Sequence, residues 1–331
     1  MRFLKPLLAC LLLLAIADLA PKGAHGALAA SVPPAVEGRI LQWPVPTAQT
    51  ARDPVADAEG NIYFAVAGAD RIARFDPRSA QFREWVLPEG TKPHGVAVGG
   101  DGKIYFGGNG NATLGELDLR TGAVRAYPAP SAASHPYSLA LDADGNVWMT
   151  ERTAGRVARF DRTTRTMTEY PMDGEPYGLA FDRRGLLWVT RIAAGKLGSL
   201  DPGTGKTTEL FLGAGSKPRR IALAPDGMLW VSLYGTGKLV KVDPAANRVV
   251  REYPLPDGPN SGPYSVNVDA RGWVWVLEFQ SDSVAILDPV SEKFRVIRLP
   301  DKQSGARNAN FDARGRYWYV ATTTGKLGVI D

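Results

Sequence analysis

Cysteine is almost absent from this 331-residue chain, which carries a single copy, Cys10, near its N-terminus. Disulfides therefore cannot stabilise the fold, and thiol chemistry is excluded once the N-terminal segment is removed. Histidine is scarce too, with only His25, His94 and His135. Because there are no thiols in the rest of the chain and no histidine pair at ligand spacing, the sequence carries no zinc signature.

The sequence also lacks a long apolar run, a dense basic run and the common catalytic motifs. Its N-terminal apolar stretch, from Pro6 to Ala17, is too short to span a bilayer comfortably, so stable membrane insertion is not expected. The net charge is +5 without any dense Lys/Arg run, which argues against nucleic acid as a partner. A nucleophile elbow, a phosphate-binding glycine loop and a dinucleotide fingerprint are all missing.

The N-terminus has the layout of a secretory signal peptide. Arg2 and Lys5 precede the apolar run, and small residues follow it. We expect residues 1–26 to be removed, with cleavage as late as about residue 30, and the mature protein to be periplasmic or secreted. Cys10 follows Leu-Leu-Ala as an acylated lipoprotein cysteine would, but it precedes most of the apolar run instead of closing it.

What the sequence does contain is a turn-and-strand pattern in seven copies. Each copy has a polar turn that ends in glycine, followed by a strand with an aromatic residue, as in DADGNVWMTE and DARGWVWVLE. The units are 40 to 45 residues apart and begin at Ala51, Pro93, Pro136, Pro176, Pro218, Pro263 and Ala306. Four short strands per unit at this period predict a β-propeller, with the aromatic residues in the core.

The seventh unit is incomplete, because it stops at Asp331 before a fourth strand. Residues 39–46, RILQWPVP, match the fourth strands elsewhere and precede the first unit. We therefore expect this N-terminal strand to close the last blade, which removes an open sheet edge. The predicted fold is all-β, one seven-bladed β-propeller over residues 38–331.

The second residue of each unit is predicted to surround one mouth of the central channel, on the face with the variable loops. These residues are Arg52, His94, Tyr137, Tyr177, Arg219, Tyr264 and Arg307. Fourteen residues later, the charged positions are Glu151, Arg191 and Glu278. Arg and Tyr suit an anionic or carbonyl-rich ligand. The alternative is that these side chains simply hydrate the channel entrance.

The repeat units, the strand ends VWMTE and VWVLE and the fourth strand EYPLP resemble the virginiamycin B lyase (streptogramin lyase) family of propellers. The resemblance covers residues 38–331. It implies magnesium-dependent elimination that opens a cyclic depsipeptide at an ester bond, in which a base removes a proton next to a carbonyl while the carboxylate leaves.

The chain departs from the family pattern at the base. The resemblance implies a His at the second position of a unit, paired with a Glu fourteen residues later. Glu278 matches that Glu, but Tyr264 replaces the His, Gly262 replaces a supporting Glu, and Arg219 replaces a His in the preceding blade. The pKa of a tyrosine would have to fall by roughly three units for it to act as a base near neutral pH.

Two hypotheses follow. The first is a lyase that opens a cyclic ester or lactone, with His94, Tyr264 and Glu278 as acid/base candidates. Arg219, or a magnesium ion at Glu278, would then stabilise the enolate, and a base relocated to His94 would have Tyr137 or Glu151 nearby.

The second hypothesis is a non-catalytic propeller that binds a small molecule, a peptide or a protein through its Arg/Tyr-lined face. Its candidate ligand-binding residues are Arg52, Tyr137, Glu151, Tyr177, Arg191, Arg219 and Arg307. Under either hypothesis we expect a monomer and no cofactor other than magnesium.

Overall fold

The structure is a computed structural model that describes residues 39–331. The signal peptide expected at residues 1–26 lies outside the described residues. Within residues 39–331, no helix is long and apolar enough to cross a membrane. The described strands form seven antiparallel sheets of four strands each, so the predicted all-β, seven-bladed propeller is confirmed.

The innermost strand of each blade begins at the first residue of a repeat unit. These strands are β2 (Ala51–Ala56), β6 (Pro93–Val98), β10 (Pro136–Leu141), β14 (Pro176–Phe181), β18 (Pro218–Leu223), β22 (Pro263–Val268) and β26 (Ala306–Phe311). Each one contacts the corresponding strand of the next blade, and β26 contacts β2, so the ring is closed.

The second strand of each blade is buried along its whole length, apart from one partly exposed residue at the start of β7. These strands are β3 (Ile62–Val66), β7 (Lys103–Gly108), β11 (Val147–Glu151), β15 (Leu187–Arg191), β19 (Leu229–Leu233), β23 (Val274–Glu278) and β27 (Tyr317–Ala321). Strands buried on both faces are apolar without alternation, which explains the continuous apolar runs in the repeats.

The third and fourth strands complete each sheet toward its outer edge. The third strands are β4 (Arg71–Asp76), β8 (Thr113–Asp118), β12 (Arg156–Asp161), β16 (Lys196–Leu200), β20 (Lys238–Asp243), β24 (Ser283–Asp288) and β28 (Lys326–Ile330). The fourth strands are β1 (Ile40–Pro44), β5 (Gln81–Val86), β9 (Val124–Pro128), β13 (Thr166–Pro171), β17 (Thr207–Phe211), β21 (Arg248–Pro254) and β25 (Lys293–Arg298). A short 3₁₀ turn, Ala67–Ala69, follows β3.

The seventh sheet has the order β1-β28-β27-β26, so β1 supplies its fourth strand. Ile40 pairs with Ile330, and Pro44 pairs with Lys326. The Trp43 ring lies 5.9 Å from the Trp318 ring and 4.8 Å from the Phe75 ring of the first blade. The N-terminal strand therefore contacts both the last blade and the first.

The polar turns between first and second strands are fixed by their aspartates. In the third blade, the carboxylate of Asp142 accepts hydrogen bonds from the backbone N–H of Asn146 at 2.8 Å and from the indole N–H of Trp148 at 2.9 Å. Gly145 closes the turn with a φ of +80°, a conformation that glycine adopts without steric cost. Trp148 is fully buried, which confirms the predicted core role of this position.

The first strands carry a bulge directly after their first residue, or after the second residue in β2. In β10, Pro136 pairs with Glu151, but the register then shifts before Leu139. The same irregularity occurs in all seven first strands. A bulge re-aims side chains, and here it lies at the mouth of the channel.

Candidate functional site

Six of the seven predicted mouth residues, all except Arg307, are joined by contacts around the channel, and we call the seven residues the mouth ring. Nη1 of Arg52 lies 2.9 Å from Nε2 of His94, and the His94 ring stacks 3.6 Å from the Tyr137 ring. The Tyr177 hydroxyl donates to the Tyr137 hydroxyl at 2.9 Å and also contacts the hydroxyl of Tyr264. These contacts form one cluster of side chains from several blades.

Two arginines of the mouth ring behave differently. The Arg219 guanidinium lies over the Tyr264 ring at 4.4 Å and donates to the Tyr177 hydroxyl at 3.2 Å. Arg307 instead lies over Phe279 at 4.7 Å and donates to the carbonyl of Gly305 at 3.3 Å. Arg219 thus contacts tyrosines of the mouth ring directly, whereas Arg307 contacts Phe279 instead.

Sequence reasoning missed the third position of the units. The bulge lets the third side chain reach the channel as well as the second. Arg220 crosses the channel from the fifth blade, and its guanidinium binds Asp53 of the first blade at 2.9 Å and Ser138 of the third at 2.5 Å. The signal was an Arg at a position where most other units have Gly or Ser, such as Gly95 and Gly178.

Asp53 and His94 lie next to each other at the mouth. Oδ2 of Asp53 lies 3.3 Å from Nδ1 of His94, and both side chains are buried. Burial alone would raise the pKa of Asp53, but the charge of Arg220, the contact with His94 and the charge of Arg52 outweigh it and hold that pKa well below its usual range. Burial lowers the pKa of His94, so the neutral imidazole is favoured.

The three tyrosines of the mouth ring differ in acidity. Burial raises the pKa of Tyr137 to about 12 and raises that of Tyr177 well above its usual value. Burial also opposes ionisation of Tyr264, but Arg219, the hydrogen bond with Tyr177 and Arg220 together lower its pKa. Negative charge in this cluster is therefore most stable on Tyr264.

Glu278 does not occupy the position that we expected. Its cross-strand partner is Pro263, not Tyr264, because the bulge places Tyr264 out of register. Its side chain is 1% exposed, and its Oε2 accepts a hydrogen bond from Ser283 at 3.2 Å.

Burial raises the pKa of Glu278 to about 7, so the carboxyl is not fully ionised at neutral pH. Across residues 39–331, no hydrogen bond or ion pair joins it to Tyr264 or Arg219.

The other two charged strand ends also point away from the mouth ring. Glu151 is fully buried, and burial together with the neighbouring Glu169 raises its pKa to about 8. Arg191 forms ion pairs with Asp173 and Glu209 inside its own blade. Of the two neighbours expected for His94, Tyr137 lies beside it and Glu151 does not; the carboxylate next to His94 is that of Asp53.

Two cavities open onto the mouth ring from the loop face. One, of about 340 Å³, is lined by Arg52, Lys92, His94, Asn109 and Tyr137 among others. The second, of about 370 Å³, shares Asn109 and Tyr137 with the first and is also lined by His135, Arg152, Thr153 and Glu175. Tyr264 lines neither cavity, so a ligand in this space meets His94 and Tyr137 first.

The donor groups of the mouth do not fit magnesium. Mg²⁺ binds through one or two carboxylates, with water completing its shell, so it needs a carboxylate that is not already paired with a cation. Here Asp53 is already paired with Arg220, and Arg52 and Arg219 add further positive charge. Among residues 39–331, no three His, Cys, Asp or Glu side chains lie close enough together to hold a metal.

The fold and this cluster define a seven-bladed propeller with a cationic, tyrosine-lined pocket at one channel mouth. The sequence matches the model of the virginiamycin B lyase family over residues 34–175 and 121–331. The chain belongs to that family. Among curated proteins, the sequence has no match.

Several solved structures share the propeller. The virginiamycin B lyase of Staphylococcus aureus has a TM-score of 0.82 and 19% identity, over 88% of this chain and 99% of that one. A streptogramin B lyase has a TM-score of 0.82 and 21% identity, over 88% and 97%. A catalytically inactive histidine-to-alanine variant of the Staphylococcus aureus enzyme with quinupristin has a TM-score of 0.82 and 20% identity, over 88% and 99%. At these identities, the likeness shows the fold alone.

Proposed function

We propose that this protein is a carbon–oxygen lyase that opens a cyclic ester or lactone at the mouth ring, with His94 as the base. The observation that carries the proposal is the Asp53–His94 pair at the edge of an open cavity. Arginine can only donate, so Nε2 of His94, 2.9 Å from Nη1 of Arg52, carries the lone pair, and Nδ1, 3.3 Å from the Asp53 carboxylate, carries the hydrogen. The lowered pKa of His94 keeps that lone pair available at neutral pH.

The proposed reaction is an elimination. Nε2 of His94 takes a proton from the carbon next to a ligand carbonyl. The electrons of that C–H bond form a carbon–carbon double bond, and the bond between the next carbon and the ester oxygen breaks. The ester leaves as a carboxylate, for which Arg52 and Lys92 in the same cavity offer positive charge.

Arg52 links binding to the base. Its Nη1 lies 2.9 Å from Nε2 of His94 and occupies the lone pair when the cavity holds no acceptor. A ligand carbonyl or carboxylate that accepts this hydrogen bond instead would release Nε2. The base would therefore become free when a ligand of the right class is in place.

The second candidate is an exported propeller that binds an anionic ligand without chemistry. The observation that favours it is the surplus of positive charge, since Arg52, Arg219, Arg220 and Arg307 face one carboxylate, Asp53, in the described part of the mouth. In this case the Arg52–His94 hydrogen bond is a permanent feature of a rigid binding site. Export itself rests on the N-terminal sequence and stays a prediction.

Quinupristin is the probe for both candidates, because a solved structure with this fold contains it. Purified mature protein is incubated with quinupristin, with and without magnesium, and the products are separated and weighed by mass spectrometry. Elimination gives a ring-opened product of unchanged mass, whereas hydrolysis adds one water. We expect elimination that is independent of magnesium and is slowed at least about 100-fold by His94→Gln.

The other outcomes separate the candidates. Binding of quinupristin without any product favours the non-catalytic propeller. Full activity of His94→Gln, with an unchanged melting temperature, overturns His94 as the base. Neither binding nor turnover of quinupristin or of simpler lactones overturns the proposed function.

A further inference from the structure

The hydroxyl groups of Tyr264, Tyr177 and Tyr137 form a chain with one direction. Tyr177 donates its single hydroxyl hydrogen to Tyr137 at 2.9 Å. It has no second hydrogen for Tyr264, so Tyr264 must be the donor in their mutual contact. The hydrogen of Tyr137 can then turn toward the Tyr264 hydroxyl, with which it also interacts, or toward the two mouth cavities that its side chain lines.

The two ends of this chain have opposite surroundings. Tyr137 is partly exposed to the cavities, whereas Tyr264 is 6% exposed and lines neither of them. Arg219 covers Tyr264, with its guanidinium 4.4 Å from the ring centre, and also donates to the Tyr177 hydroxyl. One end therefore reaches a ligand, and the other lies against a fixed positive charge.

The charged and titratable groups that face Tyr264 are Arg219, Arg220, Tyr177, Tyr137 and Tyr234. Both arginines favour the phenolate of Tyr264, and they lower its pKa against the effect of burial. Tyr137 and Tyr177 have raised pKa values and stay protonated. A negative charge created anywhere in the chain is thus drawn to the buried end.

We propose that Tyr264, Tyr177 and Tyr137 form a proton relay, which lets Tyr137 act as an acid toward a ligand oxygen in the cavity. Tyr137 gives its proton to the ligand oxygen, Tyr177 gives its proton to Tyr137, and Tyr264 gives its proton to Tyr177. One O–H bond breaks and one forms at each step, and the phenolate ends at Tyr264 beside Arg219.

The relay stands on hydroxyl geometry, and only its use in catalysis rests on the proposed function. In that reaction, the ligand oxygen is the carbonyl next to the carbon that His94 deprotonates. Protonation of this oxygen stabilises the negative charge that develops there, whereas Arg52 and Lys92 serve the leaving carboxylate. Tyr177 and Tyr264 act through Tyr137 and need not touch the ligand.

A titration without ligand tests the buried end. Tyrosine ionisation is followed by ultraviolet difference absorbance as the pH is raised. We expect one tyrosine to ionise below the ordinary value of about 10. Tyr264→Phe should abolish this early step, and Arg219→Gln should move it to higher pH.

Tyr234→Phe is the control, because the Tyr234 ring lies 4.1 Å from the Arg219 guanidinium but its hydroxyl is outside the hydroxyl chain. An early step that survives in Tyr264→Phe overturns the inference.

A second measurement tests the connection. Fluorotyrosine placed at position 137 reports its surroundings by fluorine NMR. In the otherwise unchanged protein, its signal should shift as Tyr264 ionises, and Tyr177→Phe should remove that shift while the early absorbance step remains. A shift that persists at full size in Tyr177→Phe means that Tyr137 senses Tyr264 by direct contact alone, and it overturns the relay. If quinupristin is turned over, Tyr177→Phe should lower kcat more than it changes KM; an unchanged kcat contradicts catalytic use but leaves the relay's titration intact.

Discussion

At the scale of single residues, Glu278 shows how the position of a carboxyl within a blade decides its chemistry. Sequence reasoning made it an acid/base candidate at the mouth and a ligand for magnesium. The structure buries it between Pro263 and Ser283, where burial raises its pKa to about 7. Because its pKa differs between the folded and unfolded states, this carboxyl makes the free energy of unfolding depend on pH.

The direction in which pH changes the free energy of unfolding follows from the protons that Glu278 binds in the folded and unfolded states. The ordinary pKa of Glu278 is 4.5, so the folded state holds a proton that the unfolded state has lost between that pH and about 7. The contribution is present below pH 4.5 and is lost as the pH rises through about 7. We expect Glu278→Gln to remove this loss, which amounts to about 1–3 kcal/mol.

Urea unfolding at several values between about pH 5 and 8 measures this effect. Glu59→Gln, which changes an exposed carboxyl, should leave the pH dependence of the wild type intact. If Glu278→Gln unfolds with the same pH dependence as the wild type, Glu278 is ionised throughout this range, and its site is more polar than the structure indicates.

At the scale of the structural element, the turn between first and second strands is held by a hydrogen bond from a buried tryptophan to the turn aspartate. Asp142 accepts the indole N–H of the fully buried Trp148, and equivalent bonds join Asp182 to Trp188 and Asp312 to Trp318. A buried N–H that loses its acceptor costs its full desolvation energy. The repeated aspartate is thus a structural residue and not part of the site.

We expect Asp142→Ala to destabilise the protein by about 2–3 kcal/mol, because it leaves the Trp148 N–H without an acceptor. The matched control is Asp144→Ala in the same turn, since Asp144 is exposed and its side chain makes no hydrogen bond within residues 39–331. Equal melting temperatures for the two variants would contradict the role of the turn bond.

The first strands also show what a repeat pattern can and cannot predict. Register and glycine spacing predicted the blades, the buried aromatic residues and the seven positions at the mouth, because each depends on local periodicity. The bulge after Pro136 and its equivalents does not change the spacing. It therefore hid Arg220 and Asp53, and it made Tyr264 seem to be the partner of Glu278. Contacts across the channel join distant units, and no local pattern encodes them.

At the scale of the whole molecule, closure of the ring depends on a strand from the opposite end of the sequence. β1 pairs along the whole length of β28, the backbone N–H of Val45 donates to the carbonyl of Gly325 at 2.9 Å, and that of Asp331 donates to Arg39 at 3.0 Å. Trp43 packs against the last blade and the first. The mouth ring joins distant blades and so relies on this closure.

We expect a chain that begins at residue 47, and therefore lacks β1, to melt at a much lower temperature than a chain that begins at residue 39 and keeps it. Loss of β1 exposes an edge of β28 and uncovers apolar surface on both neighbouring blades. Trp43→Ala tests the packing part alone and should cost about 3 kcal/mol in the longer chain. Differential scanning calorimetry compares the three proteins. Equal melting temperatures for the two chain lengths would mean that the ring holds without β1, and that the last blade is stable with three strands.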